Sequence, residues 1–192
     1  TLMYKMITIS GTEYDVTSPA TQSYLNFINQ KTLVLDLDGA LRCGKNRLHL
    51  IPTEEERIEA YCDGNANAAW TKFNDASGTD TPLWNNIEIA NKFFSTHFVM
   101  MLTSCTYSEK ASSILMKQLK DWNIKVDVIF MRHPDNHLEP VIMKEDFIKE
   151  LTEIVDPDNI TCIDDCEKNL TMFRSHGCTA VKVYYDYLGE SL

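Results

Sequence analysis

Runs of apolar residues alternate with amphipathic segments through most of the chain. Five short, nearly continuous apolar runs predict strands buried on both faces, at residues 32–37, 98–103, 126–131, 160–164 and 180–184. Between these runs, apolar residues recur at helical spacing, which predicts helices at residues 84–94, 108–122, 144–154 and 169–176. Strands that alternate with helices predict an α/β fold, in which a doubly wound parallel sheet is covered by helices on both faces.

The remaining segments predict an extension and an insert around this core. Residues 1–30 are expected to form an N-terminal extension packed on the core, with a strand at 6–10 and a capped short helix that starts near Ser18. The main domain is expected to cover residues 31–192. Within it, residues 42–83, called the insert below, follow the first core strand and are mainly helical by pattern, with helices at 54–61 and 68–73 and a loop at 75–82. An insert at this point is expected to cap the strand ends.

Composition narrows the class of protein. The chain has 192 residues, 44% of them hydrophobic and 24% charged, which is typical of one globular domain with a sizeable core. No apolar run approaches the roughly 20 residues that span a bilayer, and no leader opens the sequence, so we expect a cytoplasmic protein without a membrane partner. The six cysteines include no C-x-x-C pair, which favours reduced thiols over disulfides or zinc.

Net charge narrows the class of partner. The 28 acidic residues outnumber the 18 basic ones, for a net charge of −10. Proteins that grip a nucleic-acid backbone usually carry a basic face. A long nucleic acid is therefore a less favoured partner than a small phosphorylated substrate held by a few local cations. The sequence leaves the oligomeric state open.

Two aspartates follow the first predicted core strand. Asp36 and Asp38 project to the same side because side chains alternate along a strand, and Gly39 allows a sharp turn directly after them. Buried carboxylates are costly unless a metal ion or a proton compensates them. Asp164 and Asp165 end another predicted strand, and the ends of parallel strands meet at one edge of a sheet. The four aspartates together predict a Mg²⁺ site.

Four groups of residues, in the chain order Asp36 and Asp38, then Thr103, then Lys144, then Asp164 and Asp165, suit hydrolysis of a phosphate monoester. Asp36 is the predicted nucleophile and Asp38 the predicted general acid and base. Thr103 is expected to hydrogen-bond the phosphoryl oxygens, and Lys144 to neutralise the charge on Asp36 and the phosphate. A phosphorelay receiver domain would show an acid pair first, then a lone Asp, then Thr and Lys, so the order here argues against that class.

Each of these features alone has an ordinary structural explanation. An Asp-x-Asp pair also occurs in surface turns, and the pair Asp164–Asp165 could cap a helix N-terminus. Thr103 could simply end a strand, and Lys144 on a helix could be solvated. The structural interpretation of Trp70 and Phe73 is that they pack the insert on the core. The functional interpretation is that they form a stacking surface for a nucleobase.

The motif sequence resembles the haloacid dehalogenase superfamily of phosphatases. Residues 36–41 (DLDGAL) stand where the family has D-x-D-G-T-L, and the resemblance covers roughly residues 31–185. Within the superfamily it is most similar to the phosphatase domain of bacteriophage polynucleotide kinases and their stand-alone phage relatives. The residues that carry this closer similarity are Arg47-Leu48-His49, Trp70-x-x-Phe73, Phe130-Met131-Arg132 with Pro134, Lys144-Glu145, Asp164-Asp165 and Met172-Phe173-Arg174. The resemblance implies a Rossmann-like HAD fold, an Asp36 nucleophile, an Asp38 acid/base and Mg²⁺ as cofactor.

Departures from the family pattern bear on the substrate. The relatives have an Arg at each of the positions occupied here by Cys105 and Cys166, and Ser104 replaces their Gly. Arg42, Lys45 and Arg47 are candidates to replace the lost positive charge, although a solvated basic turn would look the same. Gly39, Ser104, Arg47 and Arg132 are the predicted substrate-binding residues.

Together these features favour a Mg²⁺-dependent phosphatase acting on (deoxy)nucleoside monophosphates. The first alternative is a polynucleotide 3′-phosphatase of nucleic-acid end repair. The second is a non-catalytic binding module that retains the fold, against which the intact set of paired acids argues.

Overall fold

A computed structural model of the protein describes residues 3–17 and 30–184. The helix predicted to start near Ser18 lies outside these described residues. None of the described helices is both long enough and apolar enough to cross a membrane.

The centre of the molecule is a seven-stranded sheet in the order β2-β1-β7-β6-β3-β8-β9. Its strands are β1 (Tyr4–Thr8), β2 (Glu13–Val16), β3 (Thr32–Leu35), β6 (Phe98–Thr106), β7 (Val128–Arg132), β8 (Ile160–Asp164) and β9 (Thr179–Lys182). The five strands from β7 to β9 pair in parallel, and β1 pairs antiparallel with both β7 and β2. The predicted α/β fold with a doubly wound sheet is confirmed, with an antiparallel hairpin added at one edge.

Helices cover both faces of the sheet. They are α3 (Trp84–Asn91), α4 (Glu109–Asp121), α5 (Pro140–Leu151) and α6 (Glu167–Ser175). Along β3, Leu33 and Leu35 belong to one buried cluster, which contains the inner faces of α3 and α4. Val34 belongs to a second cluster, which contains the inner faces of α5 and α6. Because alternate residues of one strand serve two cores, β3 is apolar at all three positions after Thr32.

The N-terminal extension contributes two strands where the sequence predicts one. β1 lies against β7, and the Tyr4 hydroxyl donates a hydrogen bond to the Met143 carbonyl oxygen (2.6 Å), which ties the hairpin to α5. β2 carries mostly exposed side chains at the edge of the sheet. It has no apolar run, and this explains why the hydrophobic pattern did not indicate it.

The insert is built from short elements, and its last strand lies beside its first. They are β4 (Arg42–Cys43), α1 (Glu54–Cys62), α2 (Thr71–Asp75) and β5 (Thr81–Pro82), with 3-10 turns at 45–50, 66–70 and 77–79. Thr53 begins α1 with a capping box in which the Glu56 side chain accepts from the Thr53 backbone N–H (2.9 Å). β4 pairs antiparallel with β5, so the insert enters and leaves the core at adjacent points. The segment predicted as a loop at 75–82 contains a 3-10 turn and β5.

Candidate active site

The site lies where three neighbouring parallel strands end. Leu35, the last residue of β3, pairs with Met101 of β6 on one side and with Ile163 of β8 on the other. The next backbone N–H, that of Asp36, still donates to the Ile163 carbonyl oxygen (2.9 Å), so Asp36 is held beside Asp164 at the end of β8. Parallel pairing thus brings together acids that are 128 residues apart in the sequence.

Lys144 connects the two strand ends. Its ammonium group donates to Asp36 Oδ1 (2.8 Å) and to Asp164 Oδ2 (2.8 Å), and the side chain is only 3% exposed. Lys144 is therefore a buried member of the site, and the alternative of a solvated lysine is wrong. Asp164 is fixed on all sides, because it also accepts from the Asn169 amide (3.0 Å) and from the Cys166 backbone N–H (2.9 Å).

Three carboxylates converge beside this lysine. One oxygen from each of Asp36, Asp164 and Asp165 lies within 4.8 Å of the others. Burial, with repulsion from Asp164, raises the pKa of the Asp36 carboxyl well above its usual range, although Lys144 opposes the shift. The same causes raise the pKa of Asp165 to about 6. Three crowded acids with one neighbouring ammonium leave an excess of negative charge and several oxygen ligands, an arrangement that fits a hard divalent cation such as Mg²⁺.

Asp38 is not part of this cluster, which corrects the prediction of a fourth metal ligand. Its Oδ1 accepts from Arg42 Nε (2.7 Å) and from Arg47 (2.8 Å). The reason is the turn at Gly39, which has a positive φ of 78° and brings the chain back so that the Gly39 N–H donates to the Arg42 carbonyl oxygen (3.0 Å). Burial alone would raise the pKa of Asp38, but the two arginines outweigh it and lower that pKa below its usual value.

A buried ion network behind Asp38 was not predicted. Arg47 binds Asp80 through Nε (2.7 Å) and through its terminal nitrogen (2.6 Å), and Arg42 lies 3.3 Å from the same carboxylate. Both arginines are 1% exposed, so they do not form a solvated basic turn. Arg47 is fully engaged by Asp38, Asp80 and the Phe73 carbonyl oxygen (3.0 Å), and its geometry supports a role in positioning Asp38 in place of the predicted substrate contact.

The second strand end contains Thr103 and Ser104. Thr103 is fully buried, and its hydroxyl oxygen accepts the Cys105 backbone N–H (3.0 Å), so the hydroxyl is turned towards its own backbone. The β6–β7 register shifts between Thr103 and Thr106, and such a bulge redirects side chains. Ser104 lies in this bulge and lines the cavity above the carboxylates.

Two adjoining cavities open at the strand ends. The carboxylate cavity, about 310 Å³, is lined by Asp36, Asp38, Ser104, Lys144, Asp164 and Asp165, among others. The insert cavity, about 550 Å³, lies between the insert and the core, with Tyr61, Trp70, Phe73, Asn74 and Arg132 on its walls. The two cavities share Asp38, Ser104, Glu139 and Pro140. A ligand can therefore extend from one into the other past Asp38. A third cavity of about 710 Å³ lies within the insert and contains none of the predicted site residues.

Arg132 lies in the wall of the insert cavity and is 4% exposed. Its guanidinium group donates to the carbonyl oxygens of Ser104 (2.9 Å), Asn136 (3.0 Å) and Leu138 (2.6 Å). These bonds hold the β6 bulge against the loop that follows β7. Burial lowers the pKa of Arg132 to about 10. Arg132 therefore has a structural role in the wall, and substrate binding by it stays a prediction.

The six cysteines are free thiols.

Trp70 and Phe73 form an edge-to-face pair with ring centroids 5.7 Å apart. Both rings are partly exposed at the insert cavity. The aromatic pair is thus available both for packing and for contact with a ligand.

Sequence comparisons do not assign the chain. It matches no protein-family model. It also matches no curated protein at a significant level.

Solved structures show where this fold occurs elsewhere. A haloacid dehalogenase-like hydrolase from Streptococcus pneumoniae superposes with a TM-score of 0.55 at 14% identity, over 84% of this chain and 87% of that one. A chain in the Pnkp1/Rnl/Hen1 RNA repair complex gives 0.53 at 16% identity, over 91% of this chain and 50% of its own length. An L-2-haloacid dehalogenase gives 0.52 at 10% identity, over 81% and 85%. At these identities the likeness is one of fold, and the chemistry has to be argued from the site.

Proposed function

We propose that this chain, which has the fold of the haloacid dehalogenase-like hydrolases, hydrolyses phosphate monoesters with Asp36 as the nucleophile. The observation that carries the proposal is the bridge from Lys144 to both Asp36 and Asp164, at 2.8 Å each, beside a third carboxylate. A buried lysine between two strand-end acids has no packing function that an apolar residue would not serve better. It suits a site that must gather anionic groups.

The attacking group is the Asp36 carboxylate. Lys144 donates to Oδ1 and leaves Oδ2 outside that bond. Attack of an Asp36 oxygen on phosphorus forms an aspartyl-phosphate as the bond from phosphorus to the leaving oxygen breaks, and water then cleaves the phosphate from Asp36. Lys144 offsets the negative charge that accumulates when the phosphate meets Asp36.

Asp38 stands between the two cavities, where the leaving oxygen would lie. Its low pKa, maintained by Arg42 and Arg47, favours the carboxylate form, which suits removal of a proton from the attacking water. Protonation of the leaving oxygen in the first step requires Asp38 to hold a proton briefly against the same arginines.

Asp36, Asp164 and Asp165 would hold Mg²⁺. When bound, the ion would neutralise the acids and polarise a phosphoryl oxygen.

The proposed substrate is a (deoxy)nucleoside monophosphate, in preference to a polynucleotide 3′-phosphate. Three features support the small substrate: the net charge of −10, the commitment of Arg42 and Arg47 to Asp38 and Asp80, and an insert cavity of about 550 Å³ with aromatic walls. That volume lies in the range of sites for small ligands. The polynucleotide alternative draws support from the fold shared with a chain of an RNA repair complex.

A substrate panel with an inactivated control tests this proposal. The unmodified protein should release phosphate from p-nitrophenyl phosphate and from nucleoside 5′-monophosphates in the presence of Mg²⁺. Asp36→Asn keeps the shape of the side chain and should lower turnover at least about a thousandfold, while its circular dichroism spectrum stays unchanged. Addition of a chelator to the unmodified protein should also stop turnover.

The panel also includes a 3′-phosphorylated oligonucleotide. Hydrolysis of this oligonucleotide alone would favour end repair over nucleotide hydrolysis. No phosphate release from any substrate, or turnover unchanged in Asp36→Asn, would contradict the proposed reaction.

A further inference from the structure

We infer that the insert cavity binds the nucleoside part of the substrate and that the Asn74 side-chain amide recognises the polar edge of its base. The inference rests on the proposed function for the identity of the ligand, but it depends on different residues. It concerns α2 and its neighbours, and none of the residues that would carry out the chemistry.

Asn74 is an unusual asparagine in this protein. It lines the insert cavity and is 9% exposed, yet among residues 3–17 and 30–184 its side-chain amide makes no hydrogen bond. The three other buried asparagines of the same region, Asn86, Asn136 and Asn169, all donate their amide hydrogens to protein oxygens. The amide atoms of Asn74 reach open space, because the fully buried side-chain atoms without a partner among the described residues belong to Ser77 and Glu150. An amide that makes no hydrogen bond to the protein and belongs to the wall of a cavity is available to bond a ligand there.

The amide is placed beside an aromatic surface. Trp70 is the N-cap of α2 and Asn74 lies four residues further on, near the end of α2, so they lie on the same side of the helix. Phe73 supports Trp70 edge-to-face, and both rings line the same cavity. A flat ring with an amide at its border is the combination that binds nucleobases, because every base has a π-face and an edge of donors and acceptors.

This wall is held rigidly to the core. The Arg47 guanidinium lies 4.0 Å from the centroid of the Phe73 ring and donates to the Phe73 carbonyl oxygen (3.0 Å). The same guanidinium binds Asp38, at the junction of the two cavities. The base-binding wall and the group next to the leaving oxygen are therefore positioned by one buried side chain. A phosphate in the carboxylate cavity and a base against α2 can belong to one nucleotide that passes Asp38.

The amide supplies both a donor and an acceptor, so it can distinguish bases by their edges. An asparagine pairs with adjacent donor and acceptor groups, and a base with a mismatched edge loses one of the two bonds. A single neutral hydrogen bond contributes about a tenfold change in affinity. Asn74 is thus a specificity-determining residue for the base, and stacking on Trp70 supplies affinity that depends little on which base is present.

Direct binding of nucleosides tests this without relying on turnover. Adenosine, guanosine, cytidine and uridine are titrated by calorimetry into the unmodified protein, Asn74→Leu, Asn74→Ser and Lys72→Ala. Asn74→Leu removes the amide at similar volume, and Asn74→Ser keeps a small polar group in case the leucine variant does not fold. Lys72 is exposed on the same helix and lines the cavity on the other side of the insert, so Lys72→Ala is the matched control.

We expect at least one nucleoside to bind the unmodified protein and Lys72→Ala equally. Both Asn74 variants should weaken that binding about tenfold and reduce the difference between the best and worst base. In parallel, kcat/KM for nucleoside monophosphates should fall relative to kcat/KM for p-nitrophenyl phosphate, whose leaving group lacks a base edge. A merely structural Asn74 would lower both rates together.

Absence of nucleoside binding, or binding and base preference that stay within about twofold in the Asn74 variants, would overturn the inference. If nucleosides bind through Asn74 but no phosphate ester is hydrolysed, the inference stands and the proposed reaction fails. If phosphate esters are hydrolysed and the Asn74 variants behave like the control, the reaction stands and the inference fails.

Discussion

Asp36 and Asp38 are two residues apart, yet their surroundings shift their pKa values in opposite directions. Burial and two neighbouring acids raise the pKa of Asp36, whereas Arg42 and Arg47 lower that of Asp38, which is partly buried. Pairs of carboxyl groups separated in this way are the usual means by which one site holds both a nucleophile and a proton acceptor. Here the nucleophile has the raised pKa, and a cation beside it favours its ionised form.

The raised pKa values predict how metal binding changes stability with pH. Without a metal, Asp36 and Asp165 bind protons more tightly in the folded state than in the unfolded state, where an aspartate has a pKa of about 3.9. The contribution of Asp165 to the free energy of unfolding therefore decreases as pH rises from about 4 through about 6, and that of Asp36 changes in the same direction. Metal binding competes with these protons. Saturating Mg²⁺ should raise the melting temperature by several degrees at pH 7.5, and by clearly less at pH 5.0.

Two variants check that this effect comes from the cluster. Asp165→Asn should reduce the Mg²⁺-dependent rise in melting temperature at pH 7.5. Asp158→Asn, an exposed acid in the turn before β8, should leave it unchanged. An equal Mg²⁺ effect at both pH values, or an effect insensitive to Asp165→Asn, would show that the ion binds elsewhere.

At the scale of elements, the ends of the parallel strands bring the acids together, and buried ion pairs link the insert to Asp38. β4 and β5 close the insert, and the carboxylate of Asp80, directly before β5, is completely shielded from solvent beside Arg47 and Arg42. Arg47 also contacts α2, because its guanidinium donates to the Phe73 carbonyl oxygen. The insert is thus coupled to Asp38 through charged groups that are out of contact with solvent, and α1 itself buries no side chain.

Removal of Asp80 should therefore loosen the insert. Asp80→Asn leaves two buried arginines with Asp38 as their remaining carboxylate, and breaking a buried ion pair from one side costs about 3–5 kcal/mol. Urea unfolding should show this loss in the free energy of unfolding, and amide hydrogen exchange should increase most in residues 66–82. Asp75→Asn, a half-buried acid in α2 that forms no ion pair within the described chain, is the control and should cost less than about 1 kcal/mol. A similar small loss in both variants would mean that the network does not secure the insert.

At the scale of the whole molecule, the sequence predicted the core better than its charged surroundings. The apolar runs indicated β3, β6, β7 and β8 because strands buried on both faces are nearly continuous in apolar residues. The site followed from these strands, since the carboxyl ends of parallel strands meet. Lys144 carries no local signal of its own. It was predicted from its place in the chain order, after Thr103 and before Asp164.

Other features left no comparable signal in the chain. The edge strand β2 is exposed and lacks an apolar run. Arg42 and Arg47 occur in a polar stretch that has the composition of a solvated turn, and their partner Asp80 is 33 residues beyond Arg47. The direction of the Asp38 side chain depends on the turn at Gly39 and on those arginines. Pairings of this kind are set by tertiary packing, which neither periodicity nor spacing reports.

The central claim is that Asp36 becomes covalently phosphorylated, and it can be measured directly. Asp38→Asn should slow the release of phosphate from Asp36 more than its transfer from p-nitrophenyl phosphate, because nitrophenolate leaves without needing a proton. Acid-quenched Asp38→Asn protein is digested and analysed by mass spectrometry. We expect one added phosphoryl group on the peptide containing residues 32–42, assigned to Asp36, labile to hydroxylamine and absent from the double variant Asp36→Asn, Asp38→Asn. A phosphoryl group on another residue, or steady turnover with no covalent adduct on this peptide, would contradict the account.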